Sequence, residues 1–542
     1  MPLNAARVLH GAPLDAYAST MIDHLEHWAA TTPASAFLAE RSANGSWTTI
    51  DFSTMLDRTR RVAQGLLDAG ASSERPVAIV AENGIAHALV LFGAQYAGVP
   101  AASLAPAMAS AGGARLAALL ALLTPAIVID ETVAALDVAP RAQVDAARRA
   151  IGPDTIAKIV FTSGSTGLPK GVVTTQRMLC ANQQSLAQLW PEMRAPQTLV
   201  DWLPWHHVYG GNKVLGLALA SGGTLYIDAG KPTAQAFPTT VRNVREIAPT
   251  AYFSVPRGFT LLAAALEGDP LLGASLFART ALLCNAGAAL SENVARTLRR
   301  HARSHGRAVP IVSCWGTTET APMATALADL SDKRATVGSA VPGVSIKLAP
   351  LDGRDELRVR GPSVTPGYWR DPARTAAAFD EDGYYCSGDA GSLVDERNLR
   401  LGGRIAENFK LSSATWVDVE AVRTRFLETV GPLVEDVVLS GEGHEALGAL
   451  VFLDPSTAAS LSSGEIRARI GAALSAARSV PSATIARALI VTDALPTPEE
   501  RTAKGTLDAR AVLAHRRASV ERLHACEPDS AIIGLAPGTS PG

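Results

Sequence analysis

Apolar residues recur at helical spacing in two early stretches of the chain, first at Met21, Ile22, Leu25 and Trp28 and again at Leu56, Val62 and Leu66. Residues three, four and seven apart share one helix face, so each stretch predicts a helix with a buried stripe. Between them, a glycine-containing stretch around Ser46–Ile50 reads as a strand. Pro76–Ala81 is an unbroken apolar run, the pattern of a strand buried on both faces, and Ala86–Ala97 reads as the helix after it. Further runs predict strands at Ile159–Thr162, Leu225–Ile227, Ala251–Val255, Ala281–Cys284 and Ile311–Cys314. The alanine-rich region Ala101–Arg149 predicts helices around a short strand at Ala126–Asp130. Strands alternating with helices define an α/β fold with mainly parallel sheets covered on both faces.

From Val337 onward the pattern changes to short strands with turns, at Ser345–Leu348, Glu356–Arg360, Tyr384–Val394 and Leu399–Gly403. These predict a β-barrel-like part that closes a large domain over residues 1–403. A boundary near Arg404 then leaves residues 404–525 for a smaller α+β domain of ordinary size. The final stretch, 526–542, is rich in Gly, Pro and Ser and is expected to be a disordered tail.

Composition narrows the functional classes. A chain of 542 residues exceeds one ordinary core, and 47% hydrophobic with 18% charged residues describes a soluble globular protein. A formal charge of −2 argues against nucleic acid as a partner, because displacing counterions from phosphates needs a basic surface. The five cysteines, Cys180, Cys284, Cys314, Cys386 and Cys526, form no CxxC pair and suit a reducing compartment. Met1–Thr20 shows no basic segment followed by an apolar run, and Leu116–Ile129 is interrupted by Thr124 and Pro125. Neither a secretory signal nor a membrane span is expected, and the cytoplasm is the default location.

Candidate chemistry begins where the strand Ile159-Val160-Phe161 runs into Thr162-Ser163-Gly164-Ser165-Thr166-Gly167-Leu168-Pro169-Lys170-Gly171. Glycines permit tight turns in which successive amide N–H groups point at one anion. The hydroxyls of Thr162, Ser163, Ser165 and Thr166 add donors, and Lys170 adds a cation. The GxxxxGK[ST] spacing of a Walker A loop is absent.

The loop resembles the phosphate-binding signature of the adenylate-forming superfamily of acyl-CoA synthetases, carrier-loading adenylation domains and luciferases. Further motifs appear in that superfamily's order over Ile22–Leu513. Asp201–Asn212 (DWLPWHHVYGGN) is similar to the aromatic–His segment beside the acyl pocket, and Asn285–Leu290 to the small-residue stretch against adenine. Trp315-Gly316-Thr317-Thr318-Glu319-Thr320 matches the (Y/W)GxTE signature, with tryptophan where tyrosine is common. Tyr385–Asp389 matches Y-x-(T/S)-G-D, Gly403-Arg404 opens the link to the small domain, and Arg501–Gly505 resembles the C-terminal lysine motif.

The resemblance implies an AMP-forming acid–thiol ligase using ATP, Mg²⁺ and coenzyme A on a small-molecule carboxylic acid, as a monomer or homodimer. Two anions must meet when a carboxylate attacks the α-phosphate, so neutralisation and alignment dominate the rate problem. On this resemblance Glu319 holds Mg²⁺, and Thr166 and Thr318 contact phosphate oxygens. Thr162, Ser163, Gly164, Ser165, Gly167 and Lys170 complete the nucleotide cradle, with Gly287, Ala288, Ala289, Trp315, Gly316 and Thr317 around the base. Asp389 accepts from the ribose hydroxyls with Arg404 nearby. Lys504 on the mobile small domain brings its ammonium to the reacting carboxylate and phosphate. His207 gates an acid pocket with Tyr209, Gly210, Gly211 and Asn212, to which Ser254, Arg257 and Trp315 are further candidates. Ala406 and Ala414 stand where many relatives carry a charged residue and the glycine of a Lys-Gly pair.

The strings Thr175–Gln184, Trp202–Trp205 and Phe409–Ser413 look like those of feruloyl-CoA synthetases, which activate hydroxycinnamates. His206 departs from the asparagine usual there. Loading of a carrier-protein thiol, ligation of a short, medium or fatty acid, and a catalytically silent sensor are the competing readings; five retained residues (Thr166, Lys170, Glu319, Asp389 and Lys504) speak against the last.

Overall fold

The computed structural model describes residues 7–110, 113–130, 133–163, 169–233, 235–327, 336–351, 354–413, 415–480, 483–491, 496–497, 500–501, 507–527 and 529–535. The chain divides into two units: residues 1–349, 357–387 and 393–400 form the first, and 350–356, 388–392 and 401–542 the second.

In the first unit, one sheet runs in the order Ile127–Ile129, Val77–Val80, Ala101–Leu104, Ile156–Ser163, Pro169–Thr175. Its first four strands are parallel and the last pair is an antiparallel hairpin. A second sheet orders Trp47–Asp51, Ala36–Arg41, Thr224–Ile227 and Thr198–Asp201. A third sets Ala251–Ser254, Leu282–Ala286 and Ile311–Trp315 in parallel, followed by the short antiparallel strands Thr325–Ala326 and Ser339–Ala340. Ligands of open α/β sheets gather beyond the carboxyl ends of parallel strands, and Gly287–Ala289 and Gly316–Glu319 lie just there.

Both early helices form, as Met21–Thr31 and Phe52–Asp68, started by the side chains of Thr20 and Asp51 accepting from backbone N–H groups of the first turn. The buried stripe of the second runs through Phe52, Met55, Thr59, Val62 and Leu66, with Leu56 only half-buried beside it. Ala36–Arg41, Ala101–Leu104, Pro169–Thr175 and Thr198–Asp201 are strands that the hydrophobic pattern did not announce. Ala101-Ala102-Ser103-Leu104 has little intrinsic strand preference; pairing with Val77–Val80 on one side and Ile156–Ser163 on the other imposes it.

In the second unit, Val434–Ser440, Leu447–Leu453, Ile485–Ile490 and Ile532–Gly534 form a mixed sheet with helices on both faces. The alternation is direct: Val437, Leu439, Ala449 and Val451 pack with Phe426, Ile470 and Leu474, whereas Val438, Leu450 and Phe452 pack with Val512 and Leu523. The expected disordered tail is corrected in part, since Ile532–Gly534 pairs antiparallel with Ile485–Ile490. Ile532 and Ile533 bury on opposite faces of the sheet, which outweighs the polar composition around them. Residues 536–542 lie outside the described residues. Among the described residues no helix is long and apolar enough to cross a membrane.

Phe426 is fully buried at the centre of one of these layers. Phe426→Ala is expected to destabilise the second unit by about 3–5 kcal/mol, read as a lower midpoint in urea denaturation. A loss below about 1 kcal/mol would contradict this packing.

Candidate active site

The hairpin Ile156–Ser163/Pro169–Thr175 organises the site. Its register pairs Lys158 with Thr174, Val160 with Val172 and Thr162 with Lys170. Directly opposed residues share a face, and alternate residues share it along each strand. Ile159 and Val173 join the apolar cluster of Ala78, Ala102, Leu119 and Leu123. Lys158, Val160, Thr162, Lys170 and Thr174 therefore line the other face. Gly164–Leu168, with Gly164, Ser165, Thr166 and Gly167, lie outside the described residues, as does the side chain of Ser163.

At the loop end of this face Lys170 Nζ lies 2.5 Å from Glu319 Oε1 and 2.9 Å from the Tyr368 hydroxyl, which itself donates to Glu319 Oε1 at 3.0 Å. Glu319 is 4% exposed. Burial pushes its carboxyl up, yet Lys170 and the hydrogen bonds outweigh burial and hold it below the usual range. Burial lowers the Lys170 ammonium and Glu319 more than restores it, so the pair stays ionised. Tyr368 was not expected from the sequence; its only signal was an aromatic residue after Pro366-Gly367. Residues 365–369 are tied to the hairpin through Val173 N to Gly367 O and Trp369 N to Gly171 O, and to the (Y/W)GxTE turn through Thr365 N to Glu319 O. In that turn Thr317 N donates to Thr320 Oγ1 at 2.9 Å. A Cβ on Gly316 would fall 1.7 Å from Pro322 O, so only glycine fits that turn. Among the described residues no three His, Cys, Asp or Glu side chains are grouped to hold a metal. Glu319 alone suits Mg²⁺, which takes one or two carboxylates together with phosphate oxygens.

The aromatic–His segment forms a turn whose Leu203 O accepts from Asn83 Nδ2 and whose Trp205 N donates to Asn83 Oδ1, both at 2.9 Å. A π-helix, Tyr209–Val214, follows. Its wider turn leaves carbonyls without their usual partners, and Gln183 Nε2 donates to Asn212 O at 2.8 Å and Lys213 O at 3.3 Å. Gln183 belongs to the Thr175–Gln184 string, which thus supports the π-helix from behind. Tyr209 donates to Cys284 O at 2.7 Å. Cβ atoms on Gly210 and Gly211 would collide with Leu203 O and Trp205 O, and that of Gly211 would also lie 2.8 Å from Lys158 Nζ. The glycines let the π-helix close onto the turn and make room for the lysine. His206 and His207 adjoin with ring centroids 4.6 Å apart.

Two buried lysines behind this segment were missed by sequence reasoning. Lys213 Nζ sits 3.5 Å from Cys284 Sγ and 3.4 Å from Cys314 Sγ. Lys158, 2% exposed, donates to Asn212 Oδ1 at 2.9 Å. Burial lowers the Lys158 ammonium to about 7. Burial also holds His87 down to about 4 and His206 to about 3, with Lys158 adding to both. His87 Nδ1 donates to Glu82 O at 3.1 Å, which fixes Nε2 as acceptor from Ser103 Oγ at 2.8 Å.

Gly287, Ala288 and Ala289 are exposed beyond strand Leu282–Ala286, with Gly287 at φ +94° and Ala288 O accepting from Asn285 Nδ2. Trp315 is buried, Thr318 is half-buried, Ser254 ends its strand buried, and Arg257 lies half-buried in the first turn of helix Pro256–Gly268. In the second unit, Arg404 Nε meets Asp389 Oδ1 at 2.9 Å while Ile405 N donates to Gly388 O. Ala406 O accepts from Arg510 at 3.1 Å. Ala414 and Lys504 lie outside the described residues.

The chain belongs to the AMP-binding enzyme family, which it matches over residues 25–369; residues 419–527 match the AMP-binding enzyme C-terminal domain. Indoleacetate–CoA ligase of Aromatoleum aromaticum is 30% identical over 47% of this chain and 49% of its own length. Probable CoA ligase CCL8 of Humulus lupulus is 30% identical over 56% of this chain and 52% of its own length. The chain thus spans about half the length of these curated relatives. The fold is that of ATP-bound MatB from Rhodopseudomonas palustris, with a TM-score of 0.70 at 21% identity over 92% of this chain and 99% of that one.

The environment of Lys158 has a measurable signature. The unfolded chain keeps this proton into the ordinary lysine range, whereas the folded chain releases it near pH 7. Between those values the unfolded state binds the extra proton, so native stability rises with pH, by up to about 1.4 kcal/mol per unit. Denaturation at about pH 7 and about pH 9 should show this gain in the wild type and a smaller one in Lys158→Met. Equal gains would place an unperturbed lysine at this position.

Proposed function

We propose that the chain activates a carboxylic acid with ATP as an acyl-adenylate and transfers the acyl group to the thiol of coenzyme A, releasing pyrophosphate and AMP. The reading rests above all on the buried Lys170–Glu319–Tyr368 arrangement at the foot of the Gly/Ser/Thr loop, in a chain of the AMP-binding enzyme family. A carboxylate oxygen attacks the α-phosphorus, and the bond to the bridging oxygen of pyrophosphate breaks. Charge held in place beforehand is what such a step needs. Glu319, with phosphate oxygens, would hold Mg²⁺, whose positive charge supplies neutralisation of the phosphates. Thr162, Ser163, Gly164, Ser165, Thr166, Gly167 and Lys170 would cradle the phosphates. Gly287–Ala289, Trp315 and Gly316–Thr318 would receive the adenosine, and Asp389, held by Arg404, the ribose hydroxyls. Lys504 would bring its ammonium to the reacting atoms.

The acid pocket is assigned to His207, Tyr209, Gly210, Gly211 and Asn212, and its substrate is read as an aromatic acid, with hydroxycinnamates such as ferulate as the preferred class. Support comes from the aromatic and His-rich turn 202–209, from the feruloyl-CoA synthetase-like strings, and from an aromatic-acid ligase among the relatives.

Pyrophosphate release is expected with cinnamic or benzoic acids in preference to fatty or short-chain acids, with a thioester formed only when CoA is added. Release without thioester, together with transfer to a carrier-protein thiol, would replace the acceptor. Lys504→Ala should slow adenylate formation by about 100-fold or more while supplied acyl-adenylate is still converted to thioester. Equal loss in both half-reactions would refute that role.

A further inference from the structure

Among the described residues Lys158, an amino group in the interior of the first unit, has no acidic partner. Among the described residues its only hydrogen bond is to Asn212 Oδ1, and no carboxylate lies within ion-pair distance. In its protonated form the amino group can only donate, and this fixes Asn212 Oδ1 as the acceptor and Nδ2 as the other end of the amide. That Nδ2, on a residue 2% exposed, is buried and has no partner among the described residues. Thr174 Oγ1, on the residue opposite Lys158 in the hairpin, is likewise buried and unmatched. Two remaining protons of the protonated Lys158, both N–H groups of Asn212 Nδ2 and the Thr174 hydroxyl on the same strand face thus have nothing to receive them among the described residues. Leaving buried donors unsatisfied costs about 1–3 kcal/mol each, more when they are charged. His87 spends both ring nitrogens on Glu82 O and Ser103 Oγ and has none left for these donors.

Position sets the scale. Lys158 shares its strand face with Thr162, four residues nearer the phosphate-binding loop, a rise of about 13 Å. Thr162 pairs with Lys170 at the Glu319 end. The two ends of this face therefore stand one aromatic ring and a short linker apart. Gly211 leaves the space into which Lys158 Nζ projects, and Asn212 is turned to it by the π-helix that Gln183 supports.

We propose that Lys158 and Asn212 form the distal recognition site of the acid pocket, binding an oxygen acceptor carried at the end of the substrate opposite its carboxylate, such as a ring hydroxyl. The inference deepens the proposed function and rests on the acid pocket assigned there. It makes Lys158 a specificity-determining residue, with Asn212 Nδ2 as the second donor to the same oxygen. A substrate with hydrogen at that position leaves the ammonium and the amide unmet, which is the strongest form of discrimination a pocket can apply.

Binding calorimetry on the full-length protein with 4-hydroxycinnamate and with cinnamate tests this without requiring turnover. The wild type is expected to prefer the hydroxylated acid by about 10–100-fold, the range for a hydrogen bond to a charged group. Lys158→Met should bring the ratio of the two affinities to near one. Asn212→Ser should lower it by a smaller factor, and serves as the second variant if Lys158→Met does not fold. Equal affinity of the wild type for both acids would overturn the proposal, as would equal weakening of both acids in folded variants, which marks a merely structural lysine. Preference for the hydroxylated acid in a protein that releases no pyrophosphate would keep the distal site and sink the adenylation reading. Pyrophosphate release from both acids with equal kcat/KM and equal affinity would do the reverse.

Discussion

A buried carboxylate must be compensated, and Glu319 is compensated by Lys170. That one ion pair fixes much of what surrounds it. Lys170 stands on the second strand of the hairpin that flanks the loop, Glu319 in the turn after strand Ile311–Trp315, and Tyr368 in the segment bonded to both. Removing either charge would leave the other stranded at low dielectric, a cost of about 3–5 kcal/mol. The pair also sets the local charge, because any anion approaching Lys170 would share it with Glu319, and any cation approaching Glu319 would share it with Lys170. Both groups are thus kept ionised and positioned before any ligand arrives.

The second constraint is the π-helix Tyr209–Val214. One widened turn directs Asn212 towards Lys158, brings Lys213 to the two cysteines, and lets Tyr209 reach Cys284 O. Gly210 and Gly211 give clearance here, to the Leu203 and Trp205 carbonyls and, at Gly211, to Lys158 Nζ. Asn83 and Gln183, remote in sequence, hold the turn and the helix by accepting and donating where the irregular backbone would otherwise be unmet.

How much of this could be read from the sequence depended on what each residue reports locally. Val77–Val80 and Ile311–Trp315 stood out because a doubly covered strand is apolar throughout. Ala101–Leu104 did not, since its strand state comes from its neighbours on both sides. The loop, Glu319, Asp389 and Arg404 stood out as motifs, because they occur in the order of one family's signatures. Lys158 and Lys213 were not: a lysine within an apolar strand or beside a glycine pair carries no sign of what it faces, and only the register with Thr174 and the return of the π-helix place it. Tyr368 was hidden for the same reason, as its partner Glu319 lies 49 residues earlier.

The irregular helix carries one more implication, for how this part of the interior changes over generations. A π-turn is an α-helix with one residue too many, so deleting a single residue within Tyr209–Val214 would restore the regular spiral and leave the helix beyond it in place. The directions of Asn212 towards Lys158 and of Lys213 towards the two cysteines, which the widened turn sets, would be lost without any change in their chemical identity. The surroundings of Lys158 and of the two cysteines could thus be rewired by a length change that a comparison of residue types alone would overlook.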